Sequence, residues 1–233
     1  MCGRYSIIPK KSKSTAAKTG GSVAEILSKY EEKARYNAAP SQLLPVITNQ
    51  EPTTVQYFSW GLLPSWAKEK EHGLRPINAR TETILEKPQF KRLMSSKRCL
   101  VPADGFYEWK RVGKTKTPYR IVLKDQELFT FAGLWDEWVD QGSGEVFNTF
   151  TVITTEPNEL MAGIHNRMPV ILHPEEERLW LSETNDVQRL AELLRPYPAE
   201  EMKAYPVSAL VNSTRNDVPA VLAPVAEQGG LFG

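Results

Sequence analysis

Five strand-forming runs follow one another between residues 98 and 154 with turns and no helical pattern between them: 98–101, 105–109, 119–123, 128–132 and 147–154. They are rich in β-branched and aromatic residues, and Gly113 and Asp125-Gln126 supply turn chemistry between them. Two further runs, 43–48 and 53–60, are separated by Asn49-Gln50-Glu51-Pro52. A parallel sheet needs a crossover helix between successive strands. These runs leave no room for one, so the reading is α+β rather than doubly wound α/β. Helices are predicted over 79–85 with Pro88 as the stop, over 156–161, over 174–181 with Pro174 in the first turn, and over 186–194. Ser22-Val23-Ala24-Glu25 has capping-box spacing ahead of Ile26 and Leu27. Residues 10–21 read as a polar loop, and 196–206 as a proline-broken connector.

The chain has 233 residues, 41% hydrophobic and 24% charged, which is ample for a buried core. No stretch approaches the roughly eighteen apolar residues of a membrane-spanning helix. Met1-Cys2-Gly3-Arg4-Tyr5 lacks the apolar segment of a secretory leader. Cys2 and Cys99 are the only cysteines, too few for a disulfide scaffold, and no metal-ligand spacing is present. A reduced, cytoplasmic protein without metal or cofactor is expected.

Net charge is +1, but the charges are unevenly spread. Lys87, Lys91, Arg92, Lys97, Arg98, Lys110, Arg111, Lys114, Lys116 and Arg120 are opposed only by Asp104 and Glu108. Acids dominate from Glu175 to Glu201. A neutral total that hides a basic half points to a face for a polyanion, against the plainer reading of solvated surface charge.

Cys2 is the most unusual residue. Removal of Met1 would leave a thiol and an α-amine on adjacent carbons, with ordinary pKa values of about 8.5 and 7.7–8.0. Such a pair condenses with an aldehyde: the amine forms an imine and the thiol closes a five-membered ring. Cys99, within Cys99-Leu100-Val101, reads as a buried small hydrophobe.

Glu108 is one acid among aromatics in Gly105-Phe106-Tyr107-Glu108-Trp109. Strand alternation puts it on the Phe106 face, where a carboxyl must be paired or raised in pKa. His165 lies in the loop-like Gly163-Ile164-His165-Asn166-Arg167, where catalytic groups concentrate. His72 and His173 read as surface residues. Asn78 offers a donor and an acceptor, and Arg80 a fork suited to phosphate; Asn78 as a helix cap is the plainer alternative. Pro40 and Trp66 belong to a rigid Pro/Trp-rich set suited to stacking on unpaired bases, whereas Trp60 reads as core.

Six blocks in order carry a resemblance: Met1 to Tyr5, Arg35-Tyr36-Asn37-Ala38-Ala39-Pro40, Trp60-Gly61-Leu62-Leu63-Pro64-Ser65-Trp66, Asn78-Ala79-Arg80-Thr81-Glu82, Arg98 to Trp109, and His165-Asn166-Arg167-Met168-Pro169. Together they resemble the SOS-response-associated peptidase family over roughly residues 2 to 210. The resemblance implies a compact single α+β domain of strongly bent, mainly antiparallel sheets with a barrel-like core and peripheral helices. It implies a protein that shields abasic sites in single-stranded DNA through a thiazolidine crosslink, with Met1 removed by the protein itself or by a methionine aminopeptidase; a monomer is expected. Cys2 would be the nucleophile, with Asn78, Glu108 and His165 around the opened sugar. Arg4, Asn37, Arg80 and Arg167 would hold the strand, with Pro40, Trp66 and Trp109 beside it.

Two other classes stay open at this stage: a non-covalent reader of modified DNA, for which Cys2 would be dispensable, and a class II glutamine amidotransferase, which also starts with a processed cysteine. The expected domain spans 2–222, with a tail over 223–233. In that tail Gln228, Leu231 and Phe232 have the spacing of a peptide that docks on a replication sliding clamp; the plainer alternative is that Leu231 and Phe232 fold back onto the domain.

Overall fold

A computed structural model describes residues 2–8, 26, 34–68, 75–125 and 128–225. The expected loop over 10–21, the capping box at Ser22, His72 and the tail motif Gln228, Leu231 and Phe232 lie outside the described residues. No helix among the described residues is long and apolar enough to cross a membrane.

The strands form two sheets. β1 (Tyr5–Ile7), β2 (Arg35–Ala38), β7 (Gly105–Val112), β8 (Thr115–Leu123) and β13 (Met202–Pro206) make a five-stranded sheet in the order β13-β8-β7-β1-β2. β3 (Leu43–Thr48), β4 (Gln56–Trp60), β6 (Arg98–Ala103), β9 (Phe129–Val139) and β10 (Val146–Thr155) pair in a ring, because β10 bonds both β4 and β9. That ring is a closed barrel, which removes the exposed edges an open sheet would present. All its pairings are antiparallel except β4 with β10. β5 (Asn78–Arg80), β11 (Met168–Pro169) and β12 (Ile171–Leu172) attach at its margins.

Side-chain alternation divides the core. Leu44, Phe58, Trp60, Val101, Phe131 and Phe150 join Tyr5 and Phe106 in one buried cluster between the sheets. Ile47, Leu100, Leu134 and Ile153 point the other way and pack against helices α1 (Pro88–Ser96), α3 (Pro174–Trp180) and α4 (Val187–Ala191), through Phe90, Leu93, Trp180 and Leu190. Each large apolar side chain so buried contributes about 1.5–3 kcal/mol. Gly133 in β9 is a close approach inside the barrel: a Cβ there would lie 2.8 Å from Cys99 Sγ.

Several local expectations are corrected. Asn78 and Arg80 form β5 beside β10, and only a 3-10 turn at Thr81–Thr83 follows. Pro88 begins α1 instead of ending a helix, since the missing N–H costs nothing in a first turn. β9 runs on to Val139, past Gly133 and well beyond the expected end at residue 132. The proline-broken connector ends in β13, an edge strand. His173 is half-buried: it stacks on Tyr197 at 4.5 Å, and its N–H donates to Glu176 at 3.0 Å. The chain stays attached past residue 222, where Val225 N donates to Pro206 O at 3.0 Å.

Candidate active site

Four segments distant in sequence converge on Cys2. β1 is laid against β7 by the pairs Tyr5↔Phe106 and Ser6↔Gly105, and just ahead of it Tyr107 N donates to Arg4 O at 3.0 Å. That brings Cys2 beside Glu108. The parallel pairing of β5 on β10 places Asn78 opposite Val152, and the Trp60 indole N–H fixes the preceding residue by donating to Ile77 O at 2.9 Å. His165 sits in the turn after α2 (Glu159–Ala162), which Asn158 caps by accepting from Met161 N at 2.9 Å. His165 N donates to Met161 O at 2.8 Å, which closes that turn.

Cys2 is fully buried, 0% exposed. Asn78 Nδ2 donates to the Cys2 carbonyl at 3.0 Å, while Asn78 Oδ1 is buried and accepts no hydrogen bond. Burial, and then the negative charge of Glu108, push the Cys2 thiol well above its ordinary range. Glu108 is 2% exposed, and burial raises its carboxyl to about 7, against the pull of the Trp109 N–H and the Lys116 charge. His165 Nε2 lies 4.0 Å from Glu108 Oε2. Burial lowers the imidazole pKa, and the charges of Lys116 and Arg167 push the same way. Burial thus biases both the carboxyl and the imidazole toward their neutral forms.

Arg167 holds the imidazole from behind. Its N–H is 3.1 Å and its carbonyl 3.3 Å from His165 Nδ1, so the ring keeps a partner whether Nδ1 accepts or donates. Its guanidinium forms a bidentate pair with Glu82 and donates to Thr154 O at 2.6 Å.

The remaining expected residues divide. Arg80 and Trp66 are exposed, Trp66 at 67%. Pro40 and Trp109 are half-buried, and the Trp109 indole donates to Asn212 Oδ1 at 2.7 Å. Asn37 departs from its expected role. It is 0% exposed, and its amide is spent on Arg4 and on the carbonyls of Val211, Ser213 and Asn216, so it is a strut with no surface for a strand. Arg4 is likewise engaged, donating to Asn37 Oδ1 at 2.8 Å and Val211 O at 2.7 Å while its guanidinium lies 5.9 Å from the Trp109 ring.

Sequence reasoning gave no role to Glu82, although it closes the Asn78-to-Glu82 block. It also missed the support under Trp66. There fully buried Asp136 accepts from Ser65 N at 2.9 Å and Arg92 Nη2 at 2.6 Å. An acid three residues before a strand's end carries no sequence signal for that task.

A sequence model described as SOS response associated peptidase (SRAP) matches residues 1–214. The chain is 46% identical over 225 residues to the abasic site processing protein YoqW of Bacillus subtilis (strain 168), covering 95% of this chain and 99% of that protein. It is 36% identical over 223 residues to the abasic site processing protein HMCES of Gallus gallus, covering 82% of this chain and 66% of that one. A crystal structure of a Bacteroides thetaiotaomicron protein superposes with a TM-score of 0.82 at 34% identity, over 97% of this chain and 100% of the other.

Proposed function

This chain belongs to the SOS response associated peptidase (SRAP) family, and from that premise we propose that it caps abasic sites in single-stranded DNA by a covalent bond from Cys2. The names of its relatives support abasic-site DNA as the substrate. The observation that carries the mechanism is Asn78 gripping the Cys2 carbonyl beside Glu108 and His165.

An abasic deoxyribose equilibrates between a closed ring and an open aldehyde. Once Met1 is removed, the Cys2 amine adds to C1′ and the resulting carbinolamine loses water to give an imine. Glu108 in its protonated form donates to the departing hydroxyl and is left as the carboxylate. The C=N nitrogen still carries its proton, so the thiol adds with sulfur bonding to C1′ and the C=N pair settling on nitrogen, while the thiol proton passes to the Glu108 carboxylate and restores the acid. The ring so formed is a thiazolidine. His165 moves protons at the sugar oxygen in ring opening and in the reverse reaction. Asn78 Oδ1 accepts from the Cys2 amine and aims it.

Burial of the thiol and carboxyl fits this order of events. A thiol held neutral leaves the first attack to the amine, and a carboxyl near pKa 7 exists in both forms at working pH. The test is a denaturing gel of Met1-processed protein with an oligonucleotide containing one uracil, before and after uracil removal. A heat-stable shifted band only after removal is expected; no band in either lane would refute the function.

A further inference from the structure

We propose that the hairpin over residues 110–117 is a projecting arm that takes the phosphodiester backbone flanking an abasic residue seated at Cys2, an inference that rests on the function above. The register shows the projection. β1 pairs with β7 at Gly105 and Phe106, and β13 pairs with β8 at Tyr119–Leu123, with one more bond from Val207 N to Pro118 O. Beyond those points β7 and β8 pair only with each other among the described residues. The turn is Gly113-Lys114, and a Cβ on Gly113 would meet nothing within 4 Å.

Packing does not explain this ribbon. A two-stranded hairpin on its own is marginal in water, and its apolar residue Val112 is 65% exposed. What it carries is charge. Lys110, Arg111, Lys114 and Lys116 stand among eight residues without an acid, and none has an ion-pair partner among the described residues. Two of them are steadied over aromatic rings, Lys110 at 5.9 Å from Tyr119 and Lys116 at 5.4 Å from Trp109.

Of the ten cations between Lys87 and Arg120, others are already spent. Arg98 is buried on the carbonyls of Met94 and Trp180, Lys97 and Arg92 hold Asp136, and Arg120 holds Asp104. The sequence's basic stretch therefore does not form one face, and the ribbon is where four of its charges remain available. The ribbon's root is at the reaction site: Trp109 follows Glu108, and the Lys116 charge is felt by both Glu108 and His165. A strand entering the site therefore starts at the root of the arm, and charges within about a Debye length, ~8 Å, act on it through physiological salt. A row of cations on an exposed ribbon fits a sequence-independent contact with the phosphodiester backbone.

The test measures binding of a labelled single strand carrying a tetrahydrofuran abasic analogue, which has no aldehyde and cannot crosslink. Wild type is compared with K110Q/R111Q/K114Q over a series of salt concentrations, on short and long oligonucleotides. Each phosphate contact contributes about 0.7 to the slope of log K against log salt. The triple variant should lower that slope by about 2 and lose the wild type's preference for the longer strand. An unchanged slope and length preference would overturn the proposal. Single R111Q and K114Q variants, each expected to lower the slope by about 0.7, keep the test decisive if the triple variant is unstable. Because no covalent step is involved, failure here leaves the Cys2 mechanism standing, and failure of crosslinking leaves the salt slope readable.

Discussion

Asn78 holds Cys2 with one end of its amide and leaves the other end open: Nδ2 donates to the Cys2 carbonyl at 3.0 Å, and buried Oδ1 accepts nothing. A buried acceptor left unsatisfied costs about 1–3 kcal/mol. An open acceptor beside the nucleophile is intelligible if the reacting amine or a sugar hydroxyl fills it. Asn78→Ala should therefore slow crosslinking about 10²-fold, the scale of a misplaced reacting group, with little change in melting temperature. A wild-type rate in single-turnover gels would remove Asn78 from the mechanism.

Glu108 should set the pH dependence. With its carboxyl raised to about 7 by burial, the acid form is present below neutrality and the base form above it. The wild-type crosslinking rate should bend near pH 7. Glu108→Gln should be slower by about 10²–10⁴-fold and lack that bend. The same bend in the variant would assign it to another group.

Glu82 and His165 should act as one unit in reversal, because Glu82 holds Arg167 and Arg167 holds His165 Nδ1. Starting from the purified adduct, His165→Ala should slow release of DNA, and Glu82→Ala should slow it less. Adding Glu82→Ala to His165→Ala should change nothing further, since coupled residues are not additive. Multiplying effects would show that Glu82 works elsewhere.

Glu177 is a second buried carboxyl raised to about 7, chiefly by burial, and it accepts from Thr130 Oγ1 at 2.7 Å. Its folded pKa lies above the unfolded value of about 4.3, so folding favours the protonated form. Its contribution is most favourable at acid pH and is lost as pH rises through about 7. Glu177→Gln, neutral throughout, should gain in melting temperature over wild type between pH 4.5 and 7, then hold that gain. A gap independent of pH would contradict the assignment.

Gly133→Ala should destabilise by about 1–3 kcal/mol, the usual range for overpacking, as read by urea unfolding. Its Cβ would meet Cys99 Sγ at 2.8 Å, and Thr151 O and Val101 Cγ2 at 3.1 Å. Adding Cys99→Ala should recover only part of the loss, because the other two contacts remain.

The strand-rich middle of the chain was legible because alternation and turn residues act locally. The barrel-like core followed from the family resemblance and not from local pattern, since its closure depends on β10 reaching both β4 and β9 across long separations. Pro88 was misread because proline ends and begins helices with equal ease, and only the packing of Phe90 and Leu93 decides which. The site was legible as a set of reactive types, with Cys2, Glu108 and His165 each odd in its setting. Partnerships were not legible. Asn37, expected from the resemblance beside the strand, is held inside by Arg4 and backbone carbonyls, while Glu82, given no role from sequence, grips Arg167.

Cys2 is the residue on which the account turns, and the most direct measurement is the intact mass of the product it forms with an aldehyde-bearing abasic oligonucleotide. Met1-processed wild type should give a heat-stable adduct of protein plus oligonucleotide minus one water. Cys2→Ser should give an adduct only after borohydride reduction, because the amine survives and the thiol does not. Cys2→Ala should give no heat-stable adduct while still binding single strands. A full yield of heat-stable adduct from Cys2→Ala would contradict the thiazolidine mechanism outright.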